Sequence, residues 1–266
     1  MRALEAAATI GPYFAWDELP GPTGDWRPLA ELDEPEVLAG RVAVVRRALA
    51  SGTGPDAVPE RVAASVWSLG VFSRLVSAPL AAVAFGADLP APRRDQVWWR
   101  AVDGGPLPVA VAGIGVVATV DADDDAVAEA FGEIVVDGLI GPLLAAFRRR
   151  FRLSPKVLRG NVASALGGAV TVLANAGISA NAGAGIGANA GAGTSAGISA
   201  GAGARDGSGV DRARRIVERL LARPPLAGEA TVVRPPWRLR RANCCLYYRV
   251  PGGGYCGDCV LHPVNR

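Results

Sequence analysis

Cysteine is missing from the first 243 residues of this chain, and all four thiols fall within the sixteen positions from Cys244 to Cys259. Nothing before that group can rest on disulfides or thiolate–metal bonds. Lysine occurs once, at Lys156, and histidine once, at His262. The sequence offers no convincing catalytic triad, and a lone His beside four cysteines reads as a surface residue before a ligand. No P-loop and no strand, glycine loop and helix pattern for a dinucleotide is present, so direct binding of a reduced nucleotide is not expected. The net charge of +3 is too small to point to nucleic acid. The amino terminus has no apolar stretch with a small-residue cleavage signal, so no secretory peptide is evident. The most apolar window, Val62 to Phe85, carries Arg74 at its centre and Pro79 beyond it, which disfavours a membrane span. A cytoplasmic, reducing location is the expectation, with peripheral membrane association left open. In that compartment clustered thiols point to metal or redox chemistry before disulfides.

What is present reads as an α+β protein: mostly helical, with a small antiparallel sheet, a flexible Gly/Ala-rich insertion and a C-terminal cysteine-ligated cluster module. The expected division is a body over 1–173, a linker or insertion over 174–209, and a helix plus the module over 210–266. Pro35 opens a helix to about Ala50, and Pro59 opens the clearest one, with Val62, Val66, Leu69, Leu75, Val76, Leu80 and Val83 at three- and four-residue steps. Pro79 is expected to kink or divide it. Trp67 and Phe72 read as core. Strands are expected over Gln96–Val102 and Leu107–Val120, with Asp103-Gly104-Gly105 turning the first hairpin. The acids Asp121, Asp123, Asp124 and Asp125 read as a helix start before a metal site, because an EF-hand would need a glycine and a glutamate that this run lacks. One helix follows to about Gly138, a second from Pro142 to Arg150, and a third after Ser154-Pro155. Asn161, beside the apolar stripe of that third helix, is expected to hydrogen-bond a neighbouring turn before it contacts a ligand.

Ala174 to Gly209 is built from Ala, Gly, Asn and Ser with three isoleucines, too little apolar area to offset chain entropy. It reads as a flexible insertion, with order restarting at Asp211. From Arg205 onward twelve arginines face five acids. Much of that surplus is expected to balance a thiolate site. Thr231-Val232-Val233 reads as a strand leading to the cysteines.

The cysteines form an adjacent pair, Cys244-Cys245, then ten residues, then Cys256-Gly257-Asp258-Cys259. Gly252, Gly253, Gly254 and Gly257 suit sharp turns that bring backbone N–H groups toward sulfur. Four thiolates suit zinc or an iron–sulfur cluster. Adjacent cysteines do not easily share one tetrahedral ion, whereas two irons relax that constraint, so spacing favours iron–sulfur and leaves zinc open. Tyr247 and Tyr248 are expected to shield the pair from water.

This string, preceded by Arg240-Arg241 and containing Tyr248-Arg249, resembles the C-terminal signature of the FhuF-type ferric-siderophore reductases. The stretch Leu158-Arg159-Gly160-Asn161-Val162-Ala163-Ser164-Ala165 is similar, less specifically, to a helix of that family. The resemblance implies a [2Fe–2S] cluster on Cys244, Cys245, Cys256 and Cys259, and one-electron reduction of a ferric hydroxamate-type siderophore in the cytoplasm. It also implies an external donor, a ferredoxin or a flavoprotein. Arg240, Arg241 and Arg249 would then stabilise the reduced cluster or contact a donor or substrate, with solvated basic surface as the other reading. Two further functions stay open: a zinc knob presenting a basic tail to a partner, and an iron–sulfur sensor without turnover.

Overall fold

A computed structural model describes residues 2–19, 24–50, 52–54, 56–186 and 207–262. Its helices in chain order are α1 (Arg2–Ala8), α2 (Pro35–Leu49), α3 (Glu60–Ala84), α4 (Asp124–Phe131), α5 (Gly141–Phe151), α6 (Pro155–Ile186) and α7 (Ser208–Leu221). The strands are β1 (Trp16–Glu18), β2 (Arg27–Pro28), β3 (Leu89–Ala91), β4 (Val97–Trp99), β5 (Val109–Val111), β6 (Gly115–Val117), β7 (Ala230–Val233) and β8 (Arg238–Arg241).

The apolar positions of α3 run almost all the way round it, and a helix of that kind sits inside a protein. It is the central rod here, with α1, α2, α6 and α7 packed around it. Trp67 and Phe72 meet Phe147 of α5 at centroid distances of 5.6 and 6.1 Å, the core role expected of them. Of the two effects expected of Pro79, division does not occur, since α3 runs through it unbroken. The proline removes one backbone hydrogen bond, but packing on every side of the rod outweighs a propensity cost of about 3 kcal/mol. Arg74 is also buried in α3, where its Nε donates to Leu107 O at 2.6 Å and its other nitrogens donate to the carbonyls of Pro12 and Ala15. Burial pulls its pKa down to about 10. One side chain thereby ties the N-terminal segment and the sheet to the central helix.

Three helical stretches, Glu60–Ala84, Asp124–Phe151 and Pro155–Gly177, are long and apolar enough to cross a membrane by length and composition. Their most apolar windows are 78%, 44% and 61% buried inside the fold.

The larger sheet has the order β1-β5-β4-β2, antiparallel except that β1 runs parallel to β5. Gly105, at φ 77°, lies in the connection between β4 and β5 where the first hairpin was expected to turn. Two small antiparallel pairs complete the β structure, β3 with β6 and β7 with β8. The two helices expected over 124–150 are one continuous run, because a π-helical segment, Gly132–Ile140, joins α4 to α5. Gly138 suits this wide coil, since a Cβ there would lie 3.1 Å from the Glu133 carbonyl.

The acidic run does what a helix start requires and more. Asp123 accepts from Ala126 N at 2.8 Å and caps α4. Asp124 and Asp125 then pair with Arg212, Arg215, Arg219 and Arg223 of α7 and its end. Much of the arginine surplus is thus spent on the acidic run and not on the thiols, which corrects the expectation from charge counting. A second correction concerns the Gly/Ala-rich stretch. Its beginning belongs to α6, which runs to Ile186, as alanine's high helix propensity allows. Residues 187–206 lie outside the described residues, and with them most of the expected flexible insertion. The described chain continues at Gly207, at φ 85°, and α7 begins at Ser208, three residues before Asp211.

Candidate metal centre

The hairpin β7–β8 pairs Ala230 with Arg241 and Thr231 with Arg240, and carries the chain to the cysteines. Strand β8 alternates outward Arg238 and half-buried Arg240 with inward Leu239 and Arg241. The inward pair lies on α6, and two glycines make that approach possible. A Cβ on Gly167 would lie 2.9 Å from Leu239 Cβ, and one on Gly160 would overlap the Asn243 side-chain amide. The residues around Gly160 grip the same surface. Arg159 Nε donates to Glu229 Oε1 at 2.7 Å, and Asn243 Nδ2 donates to Glu229 Oε2 at 2.9 Å. The Arg159-Gly160-Asn161 stretch is therefore the seat of the cysteine module.

Asn161 is fully buried and hydrogen-bonds neighbouring elements, a turn of α3 and strand β8. Its Nδ2 donates to Ser65 O and Ser68 Oγ of α3, each at 2.9 Å, while its Oδ1 accepts from Arg241 Nη2 at 2.6 Å. Ser65 Oγ in turn donates to the Cys245 carbonyl at 2.7 Å. A polar chain thus runs from the centre of the bundle to the vicinal cysteines. Ser65, Ser68 and Asn243 were not foreseen; the available signal was the spacing of two serines three residues apart within an otherwise apolar helix.

The loop carrying the thiols turns at Leu246, at φ 70°, into a short 3₁₀ turn over Tyr247–Arg249, and again at Gly252, also at φ 70°. Gly253 is needed for space, because a Cβ there would lie 2.8 Å from two carbonyls. Gly254 and Gly257 have ordinary φ values and open surroundings, so neither is required for the turn. The N–H groups that reach sulfur come from elsewhere than the glycines. Leu246 N donates to Cys244 Sγ and Leu261 N to Cys259 Sγ, both at 3.3 Å, each from two residues further on. The Cys256–Cys259 turn is closed by Cys259 N donating to Cys256 O at 3.1 Å.

None of the four cysteines is in a disulfide; Cys245 and Cys259 are buried, Cys244 and Cys256 half-buried. Cys245 Sγ and Cys256 Sγ are 3.6 Å apart. Two sulfurs on one tetrahedral metal, with bonds of about 2.3 Å, would sit roughly 3.7 Å apart. Among the described residues no three His, Cys, Asp or Glu side chains converge on one point. Among the described residues the arrangement thus provides one close pair, with the other two thiols in the same module.

The contact between the close pair, with the Tyr247 N–H and the Arg241 charge, lowers the Cys245 thiol below the ordinary cysteine value against the effect of burial. The same contact and burial push Cys256 upward. Burial also raises Cys244, opposed by the Leu246 N–H and by Arg241.

The three arginines named from sequence part company. Arg241 is buried, and its charge acts on both members of the vicinal pair. Arg240 is half-buried on the opposite face of β8. Arg249 is exposed, with Nε donating to Tyr248 Oη at 3.1 Å and the guanidinium 5.7 Å from that ring. Tyr247 and Tyr248 are 38% and 40% exposed, so their rings do not seal the sulfurs as expected. The module's burial comes from α3 and α6 behind it. His262 stacks edge-on against Tyr255 at 5.9 Å.

Residues 241–261 match the family described as the FhuF 2Fe-2S C-terminal domain. No curated protein matches the chain. The matched segment contains every cysteine of the chain, and the module is of the kind that carries a [2Fe–2S] cluster. The local structure fits such a group on two counts. It offers two pairs' worth of undisulfided thiols with one pair at metal-sharing distance, and it buries beside them a guanidinium whose Nε and Nη1 have no partner among the described residues.

Proposed function

We propose that this chain is a ferric-siderophore reductase: it passes one electron from a [2Fe–2S] cluster held by Cys244, Cys245, Cys256 and Cys259 to Fe³⁺ chelated by a hydroxamate-type siderophore, which leaves as Fe²⁺. The observation that carries this reading is the coincidence of the matched segment, 241–261, with the four thiols and their buried cation. When bound, the cluster supplies reversible storage of a single electron.

The chain's own residues supply the rest. Cys245 and Cys259 hold the inner side against α3 and α6, where exclusion of water and fixed N–H groups keep reorganisation small. Cys244 and Cys256 face the solvent side, among the exposed rings of Tyr247, Tyr248 and Tyr255 and the Arg249 cation. That edge suits a bulky chelate that cannot enter a closed pocket. Hard oxygen donors hold Fe³⁺ far more tightly than Fe²⁺, so gain of one electron is sufficient to loosen the iron. No general acid or base is required, which agrees with a module whose only histidine sits at its rim. The electron would come from a separate ferredoxin or flavoprotein, and the reaction would belong to the reducing cytoplasm.

The test is anaerobic purification followed by visible spectroscopy and by iron and sulfide analysis. About two irons and two sulfides per chain are expected. Rapid mixing of the reduced protein with a ferric hydroxamate should then give fast, saturable reoxidation. A colourless protein loaded with zinc would refute the cluster; a coloured one that the chelate does not reoxidise would refute the reductase and leave a sensor.

A further inference from the structure

Arg241 is buried with its hydrogen-bonding capacity only partly used. Among the described residues every acceptor of its guanidinium is reached through Nη2: Asn161 Oδ1 at 2.6 Å, the Val157 backbone carbonyl at 3.4 Å and Asn243 Oδ1 at 3.5 Å. Nε and Nη1 are buried and have no partner among the described residues. No ion pair to Arg241 forms among the described residues either. Glu229, which Asn243 contacts, is already taken by Arg159. A buried guanidinium is costly unless its donors are met, as those of Arg74 are by three carbonyls, whereas Nε and Nη1 of Arg241 are left for an acceptor still to be supplied. Its own main-chain N–H donates to the Asp258 carbonyl, between Cys256 and Cys259, at 2.9 Å, and its partner Asn161 is joined through Ser65 Oγ to the Cys245 carbonyl, so the buried guanidinium is fixed within the cysteine module.

We propose that Arg241 is the built-in counter-cation of the [2Fe–2S] site: its unpartnered Nε–H and Nη1–H donate to sulfur there and hold the reduction potential above the value that the four cysteines alone would set. The inference rests on the cluster reading of the module. Reduction adds one electron from a flavin or iron–sulfur donor and no proton, so the site becomes one unit more negative. A cation fixed beside sulfur, away from water, therefore stabilises the reduced state more than the oxidised one. Arg240 lies on the other face of β8 and Arg249 is exposed, where solvent and salt screen its charge. Asn161 is the positioning residue, because it fixes Nη2 through the shortest of the three contacts and is itself anchored to α3.

The experiment is a potentiometric titration of the anaerobically purified full chain, followed by visible absorbance and electron paramagnetic resonance. At the parent's midpoint, Arg241→Met should lower the ratio of reduced to oxidised cluster at least tenfold, which is 59 mV for one electron. Arg241→Lys keeps the charge but loses the fork, and should fall between the two. Arg238→Met, a change on the exposed face of the same strand, should stay within twofold of the parent. If Arg241→Met does not accumulate with its cluster, Asn161→Asp decides, since a carboxylate next to Nη2 offsets the cation and should move the potential in the same negative direction. A ratio within twofold of the parent for Arg241→Met, or for Asn161→Asp where that variant decides, overturns the proposal. So does an equal shift for Arg238→Met. A parent chain without [2Fe–2S] absorbance overturns the cluster reading itself, an outcome distinct from a loaded parent whose potential ignores Arg241.

Discussion

Replacing Asn161 by Leu tests whether the module is locked to the bundle through one buried contact. The side chain is fully buried, and its volume is nearly kept, so little cavity forms. On the α3 side nothing is orphaned, because Ser68 Oγ still donates to Ser65 O at 2.8 Å and Ser65 Oγ to the Cys245 carbonyl. The loss concentrates on Arg241, whose remaining acceptors stand at 3.4 and 3.5 Å. A hydrogen bond to a buried charged group contributes about 1.5–3 kcal/mol. In a chain of this size 1 kcal/mol moves Tm by roughly 2–4 °C, so a fall of about 3–12 °C is expected. Thermal melting followed by far-ultraviolet circular dichroism under anaerobic conditions reads it. Asn161→Asp, which restores an acceptor, should recover much of the loss. A melt of Asn161→Leu within 1 °C of the parent's would mean that Arg241 is held by something other than this amide, and the argument for a polar lock would fall.

Gly167→Val should cost about 1–3 kcal/mol through overpacking against Leu239, seen as a lower urea midpoint with an unchanged slope. Arg74→Leu leaves the carbonyls of Pro12, Ala15 and Leu107 without their donor; it should destabilise the fold by roughly 2–4 kcal/mol and open the segment before β1 to limited proteolysis. Asp124→Asn removes the carboxylate shared by Arg212 and Arg215 and should cost about 1 kcal/mol at low salt, shrinking as salt is added; a salt-independent loss would assign it to packing. Serine at Cys245 should abolish cluster loading, read as lost visible absorbance and iron content.

The thiols were legible because composition alone singles them out: a sequence that spends no cysteine for 243 residues and four in the next sixteen positions announces a site. The long helices were legible from the spacing of Val62 to Val83. What escaped was information that lies between elements. Arg240 and Arg241 are indistinguishable neighbours until β8 exists, and then a period of two sends them to opposite faces. Which face is inward depends on Gly160 and Gly167, some 80 residues away. The partner of the arginine-rich α7 is likewise an acidic run about 90 positions earlier, so counting charge by segment assigned it to the wrong neighbour. Pro79 and the alanine-rich end of α6 show the same limit from the other side, since local chemistry there named a break that packing or helix propensity overrode.

Cys245 and Cys259 are buried, while Cys244 and Cys256 keep some exposure, so the second pair marks the side of the module that visitors can reach. If the proposed reductant and iron chelate both use that side, they do so in succession, each leaving before the next arrives. Initial rates measured at several fixed concentrations of donor would then give parallel double-reciprocal lines, and an excess of either visitor would slow the other. Under those conditions clearance of that side, more than the electron's own passage, would set the pace.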